Sequence, residues 1–253
     1  MFNSISLILI VYTLFSGAHL WANACSELFD EVKIRPISRW PEDGPNASYE
    51  FHFQDVLKKH GVSEYKGYFE RFLSDRKSQG LTTNALDLMG SGYYLKDFTT
   101  IDSMTGLRYE NLSISKEEIE RYGQPTEVTG NIFSTTTWQK LAQSNAERNI
   151  KGVDLIAMRP SGGWTNYPFK STDHQAESIV FVLTNSVSIL NPKGEIYFKL
   201  GTHNFNGDLI AHPAIVAFKE KLERETDFRL TLVTIYWKNE NRTVQGQGVI
   251  KSK

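Results

Sequence analysis

The stretch ALDLMGSGYY, Ala85 to Tyr94, brings together residue types that hold a small polar ligand. An apolar run reaches the carboxylate of Asp87, then Leu88 and Met89, and Gly90 and Gly92 follow with Ser91 between them. Glycine lets backbone amides approach a ligand where a Cβ would collide. The third glycine of many nucleotide-binding turns is absent, and Tyr93 and Tyr94 stand in its place. The competing reading is a tight turn of any α/β protein, because short glycine motifs recur by chance.

A second candidate loop is Arg159-Pro160-Ser161-Gly162-Gly163. The Arg159 guanidinium can grip a substrate carboxylate or phosphate in bidentate fashion, or pair with a structural carboxylate. His174 lies in a helix cap and has the chemistry of a base, although a surface capping histidine is the simpler reading. His203 and Asp208 in THNFNGD are too few to define a metal site, and no metal is expected. No Gly-x-Ser-x-Gly elbow and no phosphate-cradling Gly-Lys-Ser/Thr motif occurs. No residue therefore stands out as catalytic.

The 253 residues suffice for one large domain or two small ones. With 40% hydrophobic and 23% charged residues the chain has an ordinary globular composition. The 28 basic and 29 acidic side chains leave a net charge of −1, which gives no global pull toward nucleic acid or an anionic membrane. A single cysteine, Cys25, excludes an intramolecular disulfide and a multi-cysteine zinc site.

Residues 1–24 read as a signal peptide or N-terminal anchor. The segment is apolar from Ile5 to Phe15, short for a membrane span of about 20 residues. Ala22-Asn23-Ala24 has the small-x-small pattern of a cleavage site, although Met1 to Ser4 carries no Lys or Arg. Cleavage after Ala24 predicts an exported protein, periplasmic or secreted, whereas retention predicts a membrane-anchored or cytoplasmic one. Cys25 follows the cut directly, which also suggests lipidation, although Ala22 stands where bacterial lipoprotein signals usually have Leu. Residues 25–48, interrupted by Pro36, Pro41 and Pro45, read as a linker or arm.

The remaining residues, 49–253, must position the candidate loops. Two helices come first, with Phe53, Val56 and Leu57 on one face and Tyr65, Tyr68, Phe69 and Phe72 on another; Gly80 ends the second. Strands are then predicted at NALDLM, SMTGLRYEN, TEVTGNIF, GVDLIAM and EIYFKL. Capping boxes at Ser115–Glu118, Thr136–Gln139 and Thr172–Gln175 open the intervening helices. Asn191 to Gly194 reads as a turn before the fifth strand. Pro213 opens a helix that turns Ile215, Phe218 and Leu222 inward. FRLTLVTIYW and TVQGQGVI close the chain as a hairpin across Lys238–Arg242. This alternation predicts an α/β, doubly wound, mostly parallel seven-stranded sheet whose last strand is antiparallel.

In that order, from about Leu81 to Ile250, the chain resembles the class I S-adenosylmethionine-dependent methyltransferases, whose Rossmann-like fold the sheet would match. The resemblance implies S-adenosylmethionine as the cofactor. It assigns Asp87, Met89, Gly90, Ser91 and Gly92 to the cofactor turn. Glu110 stands near the end of the second strand, where an acid holds the ribose hydroxyls, and Arg108 occupies that slot in a different register. Gly130-Asn131 stands where the family often has Gly-Asp, whose carboxylate meets the adenine amino group. Asp87 is followed by one residue more than the usual spacing before the first glycine, so a bulged turn is expected. Arg159-Pro160 replaces the Asn/Asp-Pro-Pro-aromatic motif of enzymes that modify planar nitrogens. Nucleic acid is therefore not an expected substrate, and the methyl acceptor is unidentified.

The resemblance implies a methyltransferase; Arg159 and His174, by their own chemistry, are the candidate substrate-side residues. S-adenosylmethionine is a cytosolic metabolite, whereas residues 1–24 resemble an export signal. Attachment to a membrane through the N-terminus would reconcile the two. The alternatives are an exported Rossmann-like binding protein that has lost methyl transfer, and an exported enzyme using another small ligand.

Overall fold

The computed structural model describes residues 50, 53–89, 100–108, 126–158, 169–201, 209–236 and 244–253. The segment 1–24, Cys25, the arm, the Ser115–Glu118 box, His203, Asp208 and the Lys238–Arg242 turn lie outside them.

Seven strands form one sheet: β1 (Asn84–Leu88), β2 (Ser103–Arg108), β3 (Glu127–Thr129), β4 (Val153–Met158), β5 (Leu190–Gly201), β6 (Phe228–Tyr236) and β7 (Val244–Ser252). Their order is β3-β2-β1-β4-β5-β7-β6. Strands β1 to β5 pair in parallel, and β7 runs antiparallel to both β5 and β6. The expected doubly wound sheet with one reversed, C-terminal strand is therefore the observed one.

The strands are buried on both faces, and alternate residues go to different layers. Leu86, Leu88, Ile156, Met158, Ile196 and Phe198 join a core with α3 (Thr135–Glu147), α4 (Thr172–Ser188) and α5 (Pro213–Glu225). Ala85, Leu155, Ala157, Tyr197 and Val249 join a second core with α1 (Gln54–Lys59) and α2 (Tyr68–Ser78). Strand β7 accommodates the bulky Phe198 through Gly248, its register partner, since a Cβ there would overlap the Phe198 ring.

The two N-terminal helices are tied down by polar contacts as well as by apolar burial. Gln247 Oε1 on β7 accepts the N–H groups of Asp55 and Val56, two of the orphan donors that open α1. Arg76 of α2 pairs with Asp154 at the start of β4, and both side chains are buried. Asp154 also accepts from the Asn84 N–H at 2.8 Å and from Asn191 Nδ2 at 2.9 Å. Gly80, at φ 74°, follows the last turn of α2 in the left-handed conformation that a C-terminal glycine supplies.

Three local expectations shift. Helix α4 is capped by Ser171 rather than by Thr172: the Ser171 hydroxyl accepts the His174 N–H at 3.1 Å, and Thr172 is already helical. Helix α3 begins at Thr135 after Ser134, whose side chain makes no capping hydrogen bond. Its entry is held instead by a backbone turn in which Ser134 N–H donates to the Asn131 carbonyl at 2.9 Å. Strand β5 starts at Leu190 and absorbs Asn191–Gly194 through a register shift against β4, with Lys193 at φ 62°.

Candidate cofactor-binding site

From β1 the chain passes outward to β2 and β3, then crosses back to β4 on the other side of β1. Connections that leave neighbouring strands in opposite directions open a crevice at the carboxyl ends of those strands. Residues Asp87 to Met89 end β1 at that point. Asp87 is 2% exposed and in register with Gly106 on β2 and Ala157 on β4. Strand alternation directs it to the same face as Ala85 and Ala157. Its two register neighbours have almost no side chain, so a carboxylate fits between them.

Met89 makes the turn. The β1–β2 ladder runs without a slip to Leu88↔Leu107, and the Met89 N–H still donates to the Leu107 carbonyl at 2.7 Å. Met89 then adopts φ 72°. The ladder thus shows no bulge up to Leu88; Met89 itself occupies the left-handed conformation where glycine would be unstrained. For a residue with a Cβ that conformation costs about 1–2 kcal/mol. The Met89 side chain is 4% exposed and packs into the α3–α5 core, and that burial offsets the cost.

At the end of β3, Gly130 and Asn131 start the approach to α3. A Cβ on Gly130 would lie 2.5 Å from Thr137 Oγ1, so the position needs glycine for close packing against α3. Asn131 is buried, and its Oδ1 accepts the Phe133 N–H at 2.9 Å. The side chain therefore closes an Asx turn. Trp138 Nε1 donates to the Ile132 carbonyl at 2.8 Å and holds that turn onto the helix.

At the start of α4, His174 Nδ1 accepts the Lys170 N–H at 3.1 Å. Burial, and then the Lys170 charge, lower its pKa, with Glu177 opposing. A neutral ring that accepts at Nδ1 carries its proton on Nε2. Its one ring lone pair is thus engaged by the backbone, which makes His174 a capping residue before it can be a base.

Two residues at this edge escaped the sequence reading. The Phe133 and Phe169 rings meet edge to face at 5.9 Å, and Phe169 meets His174 at 5.7 Å. This aromatic row joins the turn before α3 to the first turn of α4. Its sequence signal is slight: Phe133 closes the predicted strand TEVTGNIF, which ends at Thr129 in the structure, and Phe169 lies just ahead of the predicted Thr172 helix start.

The structure thus brings Asp87, Met89, Asn131 and His174 to the carboxyl ends of the strands and the helices that follow them. Gly90, Ser91, Gly92, Glu110 and Arg159 lie outside the described residues. Arg108 ends β2 opposite Thr129. Among the described residues no group of three or more His, Cys, Asp or Glu could hold a metal ion.

No protein-family model and no curated protein sequence matches the chain. Solved structures do. The O-methyltransferase TomG from Streptomyces achromogenes, in complex with S-adenosylmethionine, is 9% identical with a TM-score of 0.42, over 79% of this chain and 87% of that one. The O-methyltransferase from Bacillus cereus, in complex with S-adenosylhomocysteine, is 13% identical with a TM-score of 0.39, over 92% of this chain and 100% of that one. The N-methyltransferase NodS from Bradyrhizobium japonicum is 12% identical with a TM-score of 0.36, over 73% and 94%. By the order and direction of its own seven strands, the chain has the Rossmann-like fold of the class I S-adenosylmethionine-dependent methyltransferases.

Proposed function

We propose that the chain is an S-adenosylmethionine-dependent methyltransferase with its donor site at the carboxyl end of β1. The observation that carries this reading is Asp87: a buried carboxylate at the switch point of the sheet, flanked in register by Gly106 and Ala157. Small neighbours seat the carboxylate at the switch point, and a carboxylate favours a cationic or hydroxyl-bearing ligand.

The residues present suit such a ligand. Asp87 and the backbone amides of Gly90 to Gly92 would hold its polar end. Glu110 would accept from the ribose hydroxyls. Asn131, whose Oδ1 accepts the Phe133 N–H, stands where the resemblance places the residue that would meet the adenine amino group. Met89 fixes the turn from which the glycine loop departs. S-adenosylmethionine, when bound, supplies an electrophilic methyl group on a sulfonium. On the acceptor side, Arg159 would orient an anionic substrate, and His174 would support the start of α4.

Thermal unfolding of the full chain with S-adenosylmethionine, S-adenosylhomocysteine and NAD tests this. A ligand at about 100 times its Kd stabilises by about 2.7 kcal/mol, which for this size is a rise of roughly 5 °C or more. Both adenosyl-sulfur compounds should produce it and NAD should not. Glu110→Ala should weaken the response about tenfold in ligand concentration. A folded protein that responds to neither compound at millimolar concentration would be a binding fold without this cofactor.

A further inference from the structure

Far from the candidate site, basic side chains gather where α1 ends against β6 and β7. Arg229 and Lys251 are direct cross-strand partners. Like charges placed opposite each other on a sheet are destabilising. Lys59, in the last turn of α1, reaches the same strands, its Nζ donating to the Leu232 carbonyl at 3.1 Å. His60 follows, and burial first, then Lys251, Arg229 and Lys59, disfavour protonation of its ring. Arg229 and Lys59 are exposed and Lys251 is half-buried. The carboxylate that faces Lys251 across the sheet is Glu195, which is buried and held by the Tyr197 and Tyr68 hydroxyls. It therefore neutralises little of the charge presented outward.

The location is informative. Arg229 is the second residue of β6 and Lys251 the last but one of the antiparallel β7, so the cluster lies at the amino-terminal edge of the sheet. The switch-point crevice opens at the opposite, carboxyl edge. A large anionic partner on the basic edge would leave the crevice accessible. We propose that Lys59, Arg229 and Lys251 form a docking face for a membrane surface bearing anionic phospholipid headgroups. A membrane is favoured over nucleic acid because the sequence also carries the apolar Ile5–Phe15 segment, ahead of α1. A short apolar segment holds a membrane marginally, and a basic patch is the kind of second signal that makes attachment stable. Among the described residues no helix is long and apolar enough to cross a membrane.

Vesicle co-sedimentation of the full chain is the test, with phosphatidylcholine vesicles alone and with phosphatidylcholine containing about one third phosphatidylglycerol, a composition that probes the juxtamembrane charge effect. Any contribution of residues 1–24 is common to all variants. Arg229→Glu/Lys251→Glu should reduce binding to the anionic vesicles roughly tenfold or more, leave binding to the neutral ones unchanged, and abolish the salt sensitivity. Lys59→Gln/Arg229→Gln, which leaves Glu195 and its neighbours undisturbed, should give a smaller loss in the same direction. Circular dichroism confirms that both fold. Equal binding to both vesicle types, or unchanged binding by folded variants, would overturn the proposal. A single-stranded oligonucleotide that displaces the protein from anionic vesicles at low micromolar concentration would overturn it in favour of a nucleic-acid face.

Discussion

Gln247 and Val56 stand 191 residues apart, and the Gln247 side-chain oxygen accepts the Val56 backbone N–H at 3.1 Å. The same oxygen accepts the Asp55 N–H at 3.1 Å. A glutamine on the reversed strand thus caps the first helix. Gln247→Leu would leave those buried donors without this acceptor, a loss of about 1–3 kcal/mol per group at most. Urea unfolding should show a drop of that order, and the α1 amides should lose hydrogen-exchange protection ahead of the sheet.

Met89 should reverse the usual order of glycine and alanine. At ordinary positions Gly is less stable than Ala by about 0.5–1 kcal/mol. At φ 72° the Cβ is the source of the strain. Both Met89→Gly and Met89→Ala lose the buried side chain, so that loss cancels between them. Thermal unfolding should find Met89→Gly more stable than Met89→Ala by about 1 kcal/mol. Equal stabilities would mean the turn is not strained.

The Arg76–Asp154 pair should be strongly non-additive. Asp154 is fully buried and surrounded by donors. Arg76→Met removes the countercharge and should cost about 3–5 kcal/mol. Arg76→Met/Asp154→Asn removes both charges and should recover a good part of that. A double-mutant cycle in denaturant reads the coupling; additive losses would show that the two side chains act independently.

Glu195 sets a pH dependence. Burial raises its pKa, outweighing the favourable contacts with Tyr197, Lys251, Tyr68 and Arg76. Burial, with Glu195 beside it, pushes the Tyr68 hydroxyl up to about 12. A carboxyl whose pKa is raised on folding contributes stability that is complete below its unfolded pKa and lost as pH rises through the folded value. Wild type should therefore lose stability relative to Glu195→Gln as pH rises above about 4.3, the ordinary glutamate value. Denaturation midpoints of both proteins from pH 4 to 8 check this. A constant difference would contradict it.

Much of the fold was legible because β1 and β4 are short, apolar runs bounded by turn residues and buried on both faces, with alternate residues in two different cores. The capping residues were not fixed to the last position. Ser171 and Thr172 are both good caps, and the choice depends on the reach of His174 back to Lys170. The contact of Gln247 with α1 has no local signature at all. At the candidate site, Asp87 was readable from its place before the glycines. Spacing alone could not tell an inserted residue from a glycine replaced by Met89, since that distinction lies in a backbone angle. Phe133, in the turn before α3, and Phe169, just ahead of α4, meet across 36 residues of chain.

The most direct test of the central claim is isothermal titration of the full chain and its Asp87→Asn variant with S-adenosylhomocysteine and S-adenosylmethionine. Asparagine keeps the size of the buried side chain and removes the charge, and circular dichroism verifies the fold. The wild-type protein should show one site, and the variant should bind at least about tenfold more weakly through the loss of a charged hydrogen-bond acceptor. No heat from folded wild type at millimolar ligand, or equal affinity in the two proteins, would contradict the claim.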